Sequence, residues 1–357
     1  MRELPYWLAL SRISVLGARR IPRLVDVIGS AEKVFTADVD ALIAAGLPAH
    51  AAAAMVAERK AVDPHRELQR LISLGFDAVL VNEERYPKIL KEISDPPAVL
   101  FYRGDFTVLD HTCVSLVGSR KATAYGKAVA DRLSADLAAF GITVVSGMAR
   151  GIDTAAHLGV LRAGGRTAAV LGCGLDICYP PENRKLRDEI ERQGVILSEF
   201  PLGTQPKPPH FPMRNRIISG LSLAVIIVEA AERSGALITA DCALEQGREV
   251  FAVPGSINSP ASRGCHRLIK EGAALVESAA DVLAVLGLSP FEGIKDAQQN
   301  FTQNQQKVLK VMEYEPIHFD ELIACCDLTV EDLAVCLVEL ELMCAVKKVP
   351  GNHYIRV

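Results

Sequence analysis

The chain has 357 residues, half of them apolar and 23% charged, which predicts two or three globular domains and excludes a disordered polymer. Nine cysteines without a CxxC or a His/Cys cluster exclude a zinc centre, and their odd number with no export signal predicts reduced thiols in a cytoplasmic protein. Apolar runs such as 223–228 are too short to cross a bilayer, and the formal net charge of −4 conceals an uneven distribution.

From 1 to about 70 the chain reads as short helices. Leu8, Ile13, Leu16, Ile21, Leu24 and Ile28 recur at helical spacing, and Gly17, Gly29-Ser30 and Gly46-Leu47-Pro48 interrupt them. Helix, glycine hairpin, helix is the outline of a SAM-like or helix–hairpin–helix module. Such modules touch DNA backbone or serve as protein contacts, and the near balance of charge here leaves both open. Residues 71–112 are a transition. Two strand patterns, 78–81 and 99–102, flank Tyr86-Pro87 and Asp95-Pro96-Pro97, and predict an extra strand pair on the edge of a larger sheet.

Residues 113–288 form the core of the reading: strand 113–117, turn Gly118-Ser119-Arg120-Lys121, helix 124–140, strand 142–145, turn Ser146-Gly147-Met148-Ala149-Arg150-Gly151, then a helix opening at Ile152. Strands follow at 167–171, 195–199, 223–228 and 250–253, with helices at 182–192, 214–220, 236–246 and 262–271. Alternation of strand and helix predicts an α/β fold, an extended Rossmann-like parallel sheet of six or seven strands with helices on both faces. Ligands of such sheets bind at the carboxyl ends of the strands. Both glycine turns are therefore expected in one crevice, offering backbone amides and helix N-termini to phosphate.

Residues 289–303 are polar and read as a linker. From 304 to 357, helices at 305–314, 319–325 and 330–343 precede a hairpin around Pro350-Gly351-Asn352, which predicts a winged helix. From Phe291 onward there are eleven acidic residues against six Lys and Arg. The helix that would enter a major groove carries Glu331, Asp332, Glu339 and Glu341, which phosphate would repel. The tail reads as a protein-contact module.

Several enzyme classes fail at the motif level. Gly172-Cys173-Gly174 is a bare G-x-G with Ile at 177, and no P-loop exists, so neither a dinucleotide nor an ATP motor is predicted. Asp153 and His157 could share a helix face, and Glu199 and Glu229 end strands at the ligand edge. No nucleophile–base pair accompanies them, and acids there would oppose phosphate; Asp153 instead suits a positive helix start. The basic groups are the stronger signal. Residues 113–220 hold fourteen basic against nine acidic side chains. Arg120, Lys121, Arg150, Arg184, Lys185, Arg214 and Arg216 fall at or just after turns, which points to an extended polyanion. Phe211 and Tyr179 could stack on bases.

These residues resemble the DNA-processing protein A (DprA/Smf) family. The stretches that carry the resemblance are Val117-Gly-Ser-Arg120, Ser146-Gly-Met-Ala-Arg-Gly-Ile-Asp153, Leu171-Gly-Cys-Gly-Leu-Asp176 with Tyr179-Pro180 and Asn183, His210-Phe-Pro-Met-Arg-Asn-Arg216 and Ser234-Gly-Ala-Leu-Ile-Thr239. The resemblance implies sequence-independent binding of single-stranded DNA, protection of incoming DNA, loading of the RecA recombinase during natural transformation, and a homodimer through the Rossmann core. It brings no catalytic residue, cofactor, metal or membrane. The family's phosphate-contacting Gly-Ser-Arg falls on Gly118, Ser119 and Arg120, and its later basic position on Arg184 or Lys185. With the turns, the expected DNA-binding set is Gly118, Ser119, Arg120, Lys121, Ser146, Gly147, Arg150, Gly151, Asn183, Arg184, Lys185, Arg214, Asn215 and Arg216. The alternative is a nucleotide phosphoribohydrolase on a similar core, whose Pro-Gly-Gly-x-Gly-Thr turn this chain lacks.

Overall fold

The computed structural model describes residues 3–17, 19–288, 302–312, 317–326, 328–342, 345–349 and 351–356. They fall into two compact units, Met1–Phe291 and Glu292–Val357. Most of the expected linker, 289–301, lies outside the described residues.

Six helices open the first unit: α1 (Leu4–Ser11), α2 (Arg20–Ile28), α3 (Ala31–Thr36), α4 (Val39–Ala44), α5 (Ala49–Glu58) and α6 (Pro64–Ser73). Local chemistry sets their ends. Ser30 and Asp38 accept from the backbone N–H groups of Lys33 and Ala41, and Asp63 caps α6 in front of Pro64. Gly29 ends α2 in a left-handed conformation.

The sheet follows. Its strands are β1 (Asp77–Leu80), β2 (Val99–Gly104), β3 (Cys113–Val117), β4 (Thr143–Ser146), β5 (Thr167–Val170), β6 (Val195–Ser198), β7 (Ala224–Ile227), β8 (Glu249–Ala252) and β9 (Ala274–Leu275). Between them run α7 (Lys88–Lys91), α8 (Ala124–Ala139), α9 (Ile152–Arg162), α10 (Arg184–Gln193), α11 (His210–Gly220), α12 (Gly235–Glu245), α13 (Arg263–Lys270) and α14 (Ala279–Leu286). The strand order is β1-β2-β6-β5-β4-β3-β7-β8-β9. β3 to β9 are parallel, while β1 and β2 add an antiparallel edge beyond β6. Every residue of β3, β4, β5, β6 and β7 is buried, as parallel strands covered on both faces must be. The expected extended Rossmann-like sheet is found, with seven parallel strands.

Several elements differ from the reading. The helix expected at 214–220 begins at His210, four residues earlier. Pro212 lies in its first turn, where the missing N–H has no partner to lose. β9 and α14 were not foreseen, because two strand residues are too few to show a period.

Two apolar cores lie against the sheet. One gathers Val114, Leu116, Leu133, Val160 and Ile226 with α8, α9 and α14. The other gathers Leu100, Ile196, Ile217 and Leu237 with Trp7, Leu10 and Met55 of the N-terminal helices. The helical module thus shares a core with the sheet.

The second unit contains α15 (Gln303–Val311), α16 (Phe319–Cys326) and α17 (Val330–Leu342), with a three-stranded sheet of β10 (Ile317–His318), β11 (Val346–Val349) and β12 (His353–Arg356) in the order β10-β12-β11. Thr302 and Gln305 form a capping box at α15, and the Thr329 hydroxyl accepts from the Asp332 N–H at the start of α17.

Candidate nucleic-acid interface

The chain reverses direction in the sheet at β3. β3 leads through α8 to β4 on one side, and β7 leads through α12 to β8 on the other. Between β3 and β7 the connections diverge, which opens a crevice at the carboxyl ends. A cavity of about 680 Å3 occupies it, lined by Ser119, Arg120 and Lys121 on one wall and by Ser234, Gly235 and Thr239 on the other.

The first turn is held rigidly. A Cβ at Gly118 would come within 2.7 Å of Ile152 and 3.0 Å of the Glu229 carbonyl oxygen, so only glycine lets the turn lie there. The Ser119 N–H donates to Glu229 O at 2.8 Å, and the Lys121 N–H to the Ser119 hydroxyl at 3.1 Å. This corrects the expectation that the turn amides are free for phosphate: two of them are already spent. What the turn offers outward are the exposed side chains of Arg120 and Lys121. Beneath them, the buried Glu229 carboxylate accepts from the Thr123 N–H at 2.9 Å and the Thr123 hydroxyl at 2.6 Å. Glu229 therefore fixes the loop into α8.

In the second turn the picture divides. Ser146 is buried and its hydroxyl donates to Leu116 O at 2.7 Å. Gly147 faces Arg214, whose guanidinium a Cβ there would meet at 2.5 Å, while Gly151 has φ +81° and would put a Cβ 2.2 Å from Ser119 O. Asn183 is buried and its amide donates to Met148 O and to Thr154 Oγ1, both at 2.9 Å. These four residues build the turn from below. For Ser146 and Asn183 the expected DNA contact is corrected: both side chains are buried and their donors are satisfied within the fold. Arg150 does reach the surface, where it pairs with the exposed Glu182. Exposed pairs of this kind contribute little and exchange partners readily.

Arg214 and Arg216 require the same correction. Arg214 is 3% exposed and donates to the carbonyl oxygens of Gly147 (2.9 Å) and Val170. Burial pulls its pKa down to about 10, with Asp153 opposing the shift. It ties β4 to β5 under the crevice. Arg216 turns the other way and forms a two-pronged pair with Glu199 at 2.8 and 2.7 Å, plus a bond to Asp95 at 2.9 Å. Its charge is neutralised in the fold. Asn215, between them, lines the crevice, and its amide donates to Gly235 O at 3.3 Å.

The exposed cations therefore form a shorter row than expected. Arg120 and Lys121 follow β3, Arg150 follows β4, and Arg184 and Lys185 open α10 after β5. These three strands are neighbours, spaced about 4.8 Å apart as strands are. Two rings join the row: the Arg120 guanidinium sits 4.8 Å from the centre of Phe211, which lies 5.4 Å from Tyr179. Such a platform suits base stacking beside a cation. The opposite wall, Ser234, Gly235 and Thr239, is not in the expected set. Its signal was the Ser-Gly helix start after β7, the strand that returns beside β3.

His157 is fully buried, with Nδ1 2.7 Å from the Thr167 hydroxyl, and burial pushes its pKa down to about 3. An unfolded histidine takes up its proton near pH 6.5. Below that pH the unfolded chain binds more protons than the folded one, so stability falls as the pH drops from 6.5 toward 3. The slope reaches about 1.4 kcal/mol per pH unit. The thermal midpoint is expected to fall between pH 6.5 and 5, and to fall less in His157→Gln; equal slopes for the two proteins would contradict this. Among the described residues, no group of three or more His, Cys, Asp or Glu could hold a metal ion, and no helix is long and apolar enough to cross a membrane.

Comparisons with known proteins bear on the fold. The family model described as DNA recombination-mediator protein A matches residues 77–287, and that of the DprA winged helix domain matches residues 295–352. Protein Smf of Synechocystis sp. is 34% identical across 99% of both chains. DNA processing protein DprA of Streptococcus pneumoniae is 48% identical over 58% of this chain and 74% of its own. The X-ray structure of the S. pneumoniae protein superposes with a TM-score of 0.67 at 39% identity, covering 78% of this chain and 95% of that one. The Helicobacter pylori DNA processing protein A, solved for its single-stranded DNA binding mode, gives 0.54 at 32% identity over 59% and 95%.

Proposed function

Because this chain belongs to the DNA recombination-mediator protein A (DprA/Smf) family, we propose that it binds single-stranded DNA without sequence preference along the carboxyl edge of its parallel sheet. One observation carries the reading: three successive turns bring Arg120, Lys121, Arg150, Arg184 and Lys185 to one edge, beside the Phe211–Tyr179 platform. Gly118, Gly147 and Gly151 let the turns pack closely enough for that row to form. With about four phosphates neutralised, log K falls with a slope near −3 against log salt. Affinity for oligo(dT) is then expected to weaken about fiftyfold between 50 and 200 mM salt; a nearly flat titration would overturn the reading.

No step of catalysis is assigned. Of the carboxylates a hydrolase would need, Glu229 and Asp153 are buried and Glu199 is partly buried, and they are committed to Thr123, the Ala149 N–H and Arg216 respectively. A nucleotide-hydrolysis assay is expected to give no turnover, and sustained release of base or phosphate would reinstate the phosphoribohydrolase alternative.

Family membership extends the proposal to the protection of incoming DNA in the cytoplasm and to RecA loading in natural transformation. A RecA filament assay on DNA coated with single-strand-binding protein decides the second point: no stimulation by this chain rejects it. For the homodimer, β9 is the favoured surface. Among the described residues it pairs only with β8, and Leu275 is 47% exposed, a sheet edge of the kind that recruits another strand. Light scattering should return twice the chain mass, and the single-chain mass for Leu275→Glu; a wild-type monomer would reject the dimer.

A further inference from the structure

The winged-helix unit presents a surface that its own fold does not use. α17 buries Leu333, Cys336, Leu337 and Leu340 in the core of the small unit. Its other side leaves Val330, Val335 and Val338 exposed at 58, 57 and 57%. Residues three and four apart share a helix face, so two adjacent rows result. One is Val330, Ala334 and Val338; the other is Glu331, Val335 and Glu339. Valine is a poor helix former, because its branched Cβ loses rotamer freedom against the preceding turn. Three exposed valines in one helix weaken it and stabilise no core.

The charges around them are of one sign. α17 carries Glu331, Asp332, Glu339 and Glu341 and no Lys or Arg. Asp332 accepts from the Thr329 hydroxyl, Glu339 from the Gln305 amide at 2.6 Å, and Glu341 from the Lys348 N–H at 3.4 Å. Among the described residues, none of the four forms an ion pair with Lys or Arg. An apolar strip between unneutralised carboxylates repels duplex DNA and anionic lipid alike. A second copy would set acid against acid across a two-fold axis.

We propose that this face of α17 docks a basic amphipathic segment of another protein. The segment would be helical, with apolar residues at i, i+3 and i+4 meeting the valines, and Lys or Arg beside them meeting the carboxylates. The surface that winged helices turn toward a DNA groove here recruits protein. The proposal rests on the second unit alone and is independent of the single-stranded DNA reading.

The test uses the full chain and a labelled helical peptide of Leu and Lys at that spacing, with a Leu/Glu peptide as its counterpart. Wild type is expected to bind the Lys peptide and not the Glu peptide. Val335→Ser with Val338→Ser is expected to weaken binding by about tenfold or more, from the apolar area lost. Glu331→Lys with Glu341→Lys is expected to reverse the preference. Melting curves and oligo(dT) affinity should stay at wild-type values in both. The proposal is overturned if both variants bind the Lys peptide like wild type. It is equally overturned if the valine variant instead loses binding to a labelled duplex, or changes the mass seen by light scattering.

Discussion

Arg214→Ala is expected to cost about 3–5 kcal/mol of stability, enough to leave many domains unfolded. The guanidinium is 3% exposed and holds the carbonyls of Gly147 and Val170. Its removal strands two acceptors in the interior and leaves the buried Asp153, whose pKa burial already pushes up, without its nearby cation. Both bonds leave from Nη1, so Arg214→Lys should recover only part of the loss: its shorter chain must carry the ammonium to that point, and it loses the Nε–H donated to Asn215 at 3.3 Å. Denaturant midpoints measure both variants. A loss below about 1 kcal/mol for the alanine would show that the carbonyls and Asp153 find other partners.

Arg120→Ala is expected to do the opposite: keep the fold and lose the ligand. Its side chain is exposed and bears on the face of Phe211, so the melting temperature should hardly move. Deleting one charge-assisted phosphate contact costs about 1.5–3 kcal/mol, which is roughly ten- to a hundredfold in affinity. Oligo(dT) and a mixed sequence should weaken alike, because a phosphate contact reads no base. Arg120→Lys should keep the charge and lose the stacking, and so fall between. If Phe211 and Arg120 grip one nucleotide together, the double alanine variant will lose less than the sum of the single losses. Fluorescence anisotropy at fixed salt gives these numbers. An unchanged affinity for Arg120→Ala would remove the centre of the proposed row.

Comparing the two arginines shows where the sequence was legible. Strand, turn and helix from 113 to the opening of α9 at Ile152 could be placed within a residue or two, because each junction carries a local signal: a glycine close to the end of a strand, Asp153 in a first turn. The parallel order of β3, β4 and β5 followed from the rule that consecutive strands neighbour each other. The role of each cation did not follow. In the sequence Arg120, Arg214 and Arg216 all read as following turns, whereas α11 starts at His210 and places the last two inside a helix. Arg216 is claimed by Asp95, 121 positions away, and Arg214 by carbonyls 67 and 44 positions away. Such partners exist only once the sheet is assembled. The second wall of the crevice was missed for the same reason. Ser234 and Gly235 face Ser119 only because β7 lies beside β3, a pairing that spans more than a hundred residues.

The shared core described above has a practical consequence for anyone trimming this chain. α1 packs against β2, so Trp7 and Leu10 are part of a lid over an apolar surface that includes Leu100 and would otherwise face water. Arg12 reaches Leu202 O at 3.0 Å and Arg70 reaches Asp176 at the same distance, so polar rivets hold the lid at its rim. A shortened version starting at β1 would carry the whole cationic edge and yet precipitate, because the greasy underside of its sheet would seek a replacement cover in its neighbours.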